Sequence, residues 1–174
     1  MTLQITALLM ALCLIMPGAV LFCAKNEKSK AMPRERIIGS VLTLASFAWA
    51  GLQGYALLKE DFTSISRILP FLVPALAIGS CLFMDYLFTR GLGFALCLLS
   101  TQYLNQLFAA DPSARQLASL AGYVAIILGM FLVGHPWMFR KALEKCRDQE
   151  KWRKLLPAAF ALTAIIIVCI PLSA

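Results

Sequence analysis

Residues 3–24 read LQITALLMALCLIMPGAVLFCA and are followed at 25–36 by KNEKSKAMPRER. The first stretch carries no charge, and its length matches the roughly 20 apolar residues that a helix needs to cross a bilayer. The second stretch is rich in Lys and Arg, as are the cytoplasmic ends of membrane helices. A long apolar run followed by a basic break predicts a membrane-spanning helix, and the pattern recurs along the chain.

The composition supports a membrane protein throughout. Of the 174 residues, 60% are hydrophobic and only 14% are charged, whereas soluble domains carry about 25% charged residues. This excludes a soluble domain, and a chain so apolar would not stay solvated as a disordered one. The net charge of +7 lies in the breaks between the apolar runs, which favours an anionic membrane surface over nucleic acid as its partner.

Six apolar runs predict an all-α fold, a polytopic bundle of six transmembrane helices in a single membrane domain over 1–174. The runs lie at about 3–24, 36–58, 68–89, 91–110, 117–136 and 155–173. One helix over 68–110 would overshoot the bilayer, so we place a tight turn at Thr89-Arg90-Gly91. Pro70 and Pro74 then mark the start of the third span.

Basic residues give the bundle an orientation. Thirteen of the 16 Lys and Arg residues fall in the first, third and fifth breaks, and three fall in the second and fourth. Because Lys and Arg concentrate in cytoplasmic loops, the odd-numbered breaks are expected in the cytoplasm and both termini on the non-cytoplasmic side. We expect the chain in a plasma membrane of the bacterial inner-membrane type.

Asp85 is the only carboxylate inside a predicted span, and an ionisable residue there marks either a pairing or a functional site. Two interpretations stay open: an Asp85–Arg90 ion pair that fastens the hairpin, and a proton or ion site. His135 is the single histidine and ends the fifth span at a similar depth. It is interpreted as an interfacial residue or as a pH-sensitive partner of Asp85.

Amide side chains cluster in the fourth span. Gln102, Asn105 and Gln106 stand at i, i+3 and i+4 and therefore share one helix face. Amides in lipid need partners, so that face is expected to point into the bundle, where Gln53 of the second span lies at a comparable depth. The four side chains are expected either to join helices by hydrogen bonds or to line a polar pocket open to the outside.

The basic segment 137–154 predicts a short helix on the cytoplasmic surface. Phe139, Leu143 and Cys146 stand at i, i+4 and i+7, which gives the helix one apolar face between charged ones. Its cationic side chains are expected to contact anionic lipid or an acidic partner.

No motif that pairs a nucleophile with a base, or cradles a phosphate on a glycine-rich loop, occurs in the chain. The six cysteines are scattered without a close pair, which predicts neither a disulfide framework nor a zinc site. One histidine cannot form a multi-histidine metal site. We therefore expect no catalytic residue, no metal and no cofactor, and a protein that is not an enzyme.

These patterns predict a small non-catalytic integral membrane protein, an accessory or scaffold component. The alternative is a small transporter or solute-binding membrane subunit that uses the outward-facing polar pocket. The expected partners are membrane lipids and another membrane protein. The small residues Ala121, Ala125 and Gly129 recur at four-residue spacing, which favours close helix packing within the chain or between copies in a homo-oligomer.

Overall fold

A computed structural model describes residues 3–25, 32–61, 63–110 and 114–172. This part of the chain is all-helical, as predicted, with one 3-10 turn at Met32–Arg34. Its seven α-helices are α1 (Leu3–Phe22), α2 (Arg36–Asp61), α3 (Thr63–Phe83), α4 (Leu87–Ala110), α5 (Arg115–Gly134), α6 (Pro136–Asp148) and α7 (Glu150–Leu172).

Four of these helices are long and apolar enough to cross a membrane, judged by length and composition. The candidate spans are Leu3–Phe22 of α1, Arg36–Tyr55 of α2, Arg115–Gly134 of α5 and Glu150–Ile170 of α7. Helix α3 contributes a shorter apolar segment, Arg67–Phe83. The helical class is therefore established for the described residues, whereas the count of six spans is not confirmed.

Helix α4 lies at the centre of the bundle and packs against α1, α2 and α5. Helix α7 closes the far side against α1 and α5, and α3 is the outermost helix, packed chiefly on α2. The core forms where α4 meets its neighbours: Leu96, Tyr103 and Leu107 are fully buried there, together with Met10 and Leu14 of α1. More than half of α4 is buried, including Ser100 and Tyr103, whereas Thr101 and Asn105 are exposed.

Helices α4 and α5 approach each other at glycines. A Cβ atom added at Gly93 would lie 2.6 Å from the Gly129 carbonyl oxygen, and one added at Gly129 would lie 2.7 Å from the Cys97 sulfur. Ala121 and Ala125, which precede Gly129 at the same spacing, are also buried. This small-residue series thus serves packing within the chain.

The break between the third and fourth helices lies at Met84–Tyr86, earlier than the predicted turn at Thr89–Gly91. Tyr86 adopts a left-handed backbone conformation (φ 58°), which ends one helix and starts the next at Leu87. Gly91 is needed for packing, because a Cβ there would lie 2.7 Å from the Thr43 hydroxyl oxygen.

Because the break comes earlier in the chain, Asp85 and the two prolines of α3 take different positions relative to the helices than the sequence predicted. Asp85 lies in the connection between helices and is exposed, not inside a span. Because α3 begins at Thr63, Pro70 and Pro74 lie inside this helix rather than at its start.

Helix α6 lies across one end of the bundle. It follows α5 directly through His135, with Pro136 at its first turn, a position where proline is well tolerated. Phe139, Leu143 and Cys146, the predicted apolar face, are all buried. Because α6 packs against α7, α5 and α1, this face contacts protein, and the charged side chains point away.

The first, third and fifth breaks meet at this same end. The 3-10 turn packs against α4 and α6, and α6 also contacts α4. Lys154 and then Arg153 lower the pKa of Glu150 in α7, and Lys25, three residues after α1, lies close enough to add a smaller share. We call this the basic end of the bundle.

Candidate functional site

The structure joins two of the four predicted amides directly. Gln53 Nε2 of α2 donates a hydrogen bond to Gln102 Oε1 of α4 over 3.1 Å. Gln106 makes a different contact, with its amide oxygen 2.7 Å from the Thr6 hydroxyl of α1. Asn105 is exposed. The amides therefore face three directions, and the two buried contacts link α4 to separate helices.

Three further side chains of α4 complete this pattern. Ser100 donates to the Met10 sulfur of α1 over 3.7 Å, and Tyr103 donates to the Ile167 carbonyl of α7 over 3.4 Å. Cys97 lies 3.8 Å from the Ile126 carbonyl of α5. We call Cys97, Ser100, Gln102, Tyr103 and Gln106 the α4 polar set. Through it, α4 reaches α1, α2, α5 and α7.

Sequence reasoning singled out only the amides of this set. Ser100 and Tyr103 belong to the same polar stretch and share a face at i and i+3, so a signal was present. Their partners are a methionine sulfur and a backbone carbonyl, which no side-chain pattern identifies.

The structure does not bring Asp85, Arg90 and His135 together. Within the described residues, neither Asp85 nor His135 forms an ion pair, and both are exposed. The His135 ring lies between aromatic neighbours, with centroids 6.2 Å from Phe131 and 6.1 Å from Trp137. The His135 ring thus contacts aromatic side chains and not Asp85.

A polar cavity of about 360 Å³ opens at the α3–α4 connection, lined by Arg36, Met84, Asp85, Tyr86 and Leu87. We call it the corner cavity. Arg90 adjoins it, because its Nη1 lies 3.7 Å from the sulfur of Met84. On another side Arg140 of α6 donates a hydrogen bond to Tyr86. We call Arg36, Arg90 and Arg140 the arginine corner.

The three arginines of the corner face two carboxylates, Asp85 and Glu144, which leaves a net charge of +1. The hydrogen bond to Tyr86, followed by the contacts with Glu144, raises the pKa of Arg140 above its ordinary value. Arg140 Nε lies 2.9 Å from Glu144 Oε1 in an exposed i,i+4 pair. The Nε atom of Arg90 is buried and has no hydrogen-bond partner among the residues that the structure describes.

The outward face of α6 carries two lysines that lie over aromatic rings, one ring on α6 itself and one at the start of α7. Lys141 Nζ lies 4.7 Å from the Trp137 ring centroid, and Lys145 Nζ lies 3.9 Å from that of Trp152. Trp137 remains about half exposed. This surface therefore combines positive charge with an exposed aromatic edge, a pairing suited to the headgroup level of a membrane.

A second cavity, of about 320 Å³, lies between α2 and α3, lined by residues such as Gly51, Leu52, Leu69 and Val73. No charged side chain lines it, so it offers apolar contact only. Across residues 3–25, 32–61, 63–110 and 114–172, no group of three or more His, Cys, Asp or Glu residues could hold a metal ion.

The chain has no match among protein-family models, curated proteins or solved structures.

Proposed function

We propose that this chain is a polytopic integral membrane protein in which α1–α5 and α7 all cross the bilayer. Helix α4 has 24 residues, a length of about 36 Å at 1.5 Å per residue. It is not among the four candidate spans, but the packing of its neighbours shields it from lipid. A helix enclosed by α1, α2 and α5 spans the same layer as they do, and α3 packs alongside α2.

We propose that the basic end faces the cytoplasm of a bacterial inner membrane and that both termini lie on the other side. The support is the positive-inside rule together with the meeting of the three basic breaks around α6. Helix α6 then lies on the cytoplasmic surface, where its cations meet anionic lipid or an acidic face of another membrane protein.

Within this bundle we propose a non-catalytic accessory or scaffold role. The observation that carries it is the α4 polar set, whose side chains are engaged in contacts between helices. A solute pathway requires polar groups that face a water-filled cavity, whereas here Gln53 and Gln102 bond to each other. The geometry favours helix association over a polar pocket.

The topology is tested with reporters fused to the C-terminus of the full chain. A reporter active only outside the cytoplasm should work there, and one active only in the cytoplasm should not. The opposite pattern would overturn the proposed orientation, which places the C-terminus outside the cytoplasm.

The scaffold role is tested by photo-crosslinking in native membranes. Phe71 of α3 and Leu162 of α7 are exposed by 79% and 63%, and their helices pack on different neighbours, α3 chiefly on α2 and α7 chiefly on α1. A crosslinking residue at one of them should capture a single stoichiometric protein partner, and the other position serves as the matched control. Lipid adducts alone at both positions, with solute uptake abolished by a well-folded Gln102→Ala variant, would favour the transporter instead.

A further inference from the structure

The Arg90 side chain is partly buried, and its guanidinium is poorly partnered among the described residues. Its Nε is buried without a hydrogen bond among the described residues, and its Nη1 reaches only the Met84 sulfur, a weak acceptor. Arginine stays charged in proteins, and a buried charge is costly unless it is paired and hydrogen-bonded. The neighbouring carboxylate, Asp85, is exposed and does not pair with it.

Unpartnered polar atoms concentrate around this place. Four buried side-chain atoms lack partners among the described residues, and they belong to Thr43, Thr89, Arg90 and Ser119. Three of these four residues lie within the first eight residues of α2 or the first four of α4. Such atoms are rare in native proteins and indicate a bound water or ion, strain or a functional site.

The corner cavity provides room beside Arg90. It is bordered by Met84, which contacts Arg90, by Arg36 of α2 and by Tyr86, which accepts a hydrogen bond from Arg140. Arg36 thus lines the cavity, and Arg90 and Arg140 each contact one of its lining residues. The left-handed backbone at Tyr86 is a costly conformation of the kind that clusters at ligand sites.

We propose that the arginine corner binds a phosphate group, with the partly buried Arg90 as its anchor and Arg36 and Arg140 at its rim. Guanidinium forks match phosphate oxygens in two-pronged hydrogen bonds, and the start of α4 at Leu87 adds the positive end of a helix dipole. A phospholipid headgroup or a free phosphate carries this chemistry. The inference goes beyond the scaffold role and does not depend on it.

Two carboxylates oppose the anion and supply a test. Asp85 lines the corner cavity and Glu144 pairs with Arg140. If the cavity holds phosphate, neutralising Asp85 should tighten binding. If Asp85 is itself the counter-ion of Arg90, the same change should cost stability and leave phosphate binding unaffected. The two explanations predict different results for one substitution.

The experiment uses the purified full chain in an uncharged detergent. Inorganic phosphate and a short-chain phosphatidylglycerol are titrated separately, with sodium chloride at matched ionic strength, and the dissociation constant is taken from the rise in melting temperature. The variants are Arg90→Gln, Arg36→Gln and Asp85→Asn. Arg147→Gln is the matched control, since Arg147 is an exposed arginine of α6 that does not border the cavity.

We expect the dissociation constant to rise about tenfold in Arg90→Gln and about threefold in Arg36→Gln. It should fall about threefold in Asp85→Asn and stay unchanged in Arg147→Gln. A response to both probes or to phosphatidylglycerol alone assigns the headgroup, and a response to inorganic phosphate alone assigns a free phosphate.

Equal binding by Arg36→Gln and Arg147→Gln would overturn the proposal. So would an Asp85→Asn variant that melts lower and binds no more tightly. If Arg90→Gln does not fold, these two variants still decide the question.

Discussion

The α4 polar set and the arginine corner lie on the same helix and handle polar groups in opposite ways. In the polar set, each side chain finds a partner on a neighbouring helix, from the Gln53–Gln102 hydrogen bond to the Tyr103–Ile167 contact. At the corner, the guanidinium of Arg90 has a buried nitrogen without a partner among the described residues. The first arrangement is completed by the chain itself, and the second offers an open position to an anion.

The largest effect on stability is expected where α4 meets α5. Cys97 of the α4 polar set contacts the Ile126 carbonyl of α5 there, so this contact depends on the close approach of the two helices. Gly93→Ala places a Cβ 2.6 Å from the Gly129 carbonyl oxygen, so two backbones must separate. We expect a loss of about 1–3 kcal/mol in the free energy of unfolding, measured by denaturant titration in mixed detergent micelles.

Gly79→Ala is the control for that substitution. Gly79 is also inside a helix, but a Cβ there meets nothing within 4 Å. Alanine favours helix over glycine by roughly 1 kcal/mol, so this variant should be as stable as the original chain or more so. Equal losses in the two variants would remove the argument for contact between the α4 and α5 backbones.

The second effect concerns the conformation that forms the corner. Tyr86 has φ 58°, a region that asparagine tolerates and β-branched residues avoid. Tyr86→Val should cost about 1–3 kcal/mol in unfolding free energy, and more than Tyr86→Asn. Tyr86→Phe isolates the hydroxyl that binds Arg140. If valine and asparagine behave alike, the left-handed turn is not what shapes the corner.

The sequence predicted the polar set better than the corner. The helices could be predicted because an apolar run of about 20 residues has few structures other than a helix open to it. The depth of Gln53 and Gln102, read from span boundaries, placed them level with each other. Which helix each amide would face depends on how helices pack around α4, and no single-chain pattern carries that information, so the Thr6–Gln106 contact was missed.

The position of the turn at the corner was mispredicted because glycine occurs both in turns and where helices pack closely. In Thr89-Arg90-Gly91 the glycine resembles a turn residue, yet Gly91 is helical and lets α2 approach α4 at Thr43. The actual break at Met84–Tyr86 depends on a left-handed tyrosine, which sequence rules do not anticipate. Arg140 comes from a helix distant in sequence, so the three arginines could not be grouped before the fold was known.

A smaller effect tests whether the amides of the polar set are truly coupled. In a double-mutant cycle of Gln53→Ala and Gln102→Ala, we expect a coupling of about 0.6–1.7 kcal/mol in the free energy of unfolding. Asn105→Ala is the control, because this exposed amide makes no contact within the set. A coupling near zero would favour the alternative interpretation, in which both amides line a polar pocket.

The smallest effect involves a charge that is paired, at the same basic end as the unpaired Arg90. Glu150 Oε1 lies 3.2 Å from Lys154 Nζ and 3.5 Å from Arg153 Nη2. The hydrogen bond from Lys154, then its charge and that of Arg153, lowers the pKa of Glu150 below its ordinary value of 4.5. Because the Glu150 carboxylate is exposed, water and salt weaken the stabilisation that its ion pairs give to the folded state.

The sign of the pH dependence follows from the lowered pKa. The folded state favours the ionised form of Glu150. The contribution of this carboxylate to the free energy of unfolding is therefore complete above the pKa of the unfolded state, and it is lost as the pH falls through the pKa of the folded state. The stability difference between the original chain and Glu150→Gln should be small at neutral pH and should close under acid conditions. Asp148→Asn removes a nearby exposed carboxylate without an ion pair in the described chain. It should show no comparable closing, and a difference for Glu150→Gln that widens in acid would contradict the pairing.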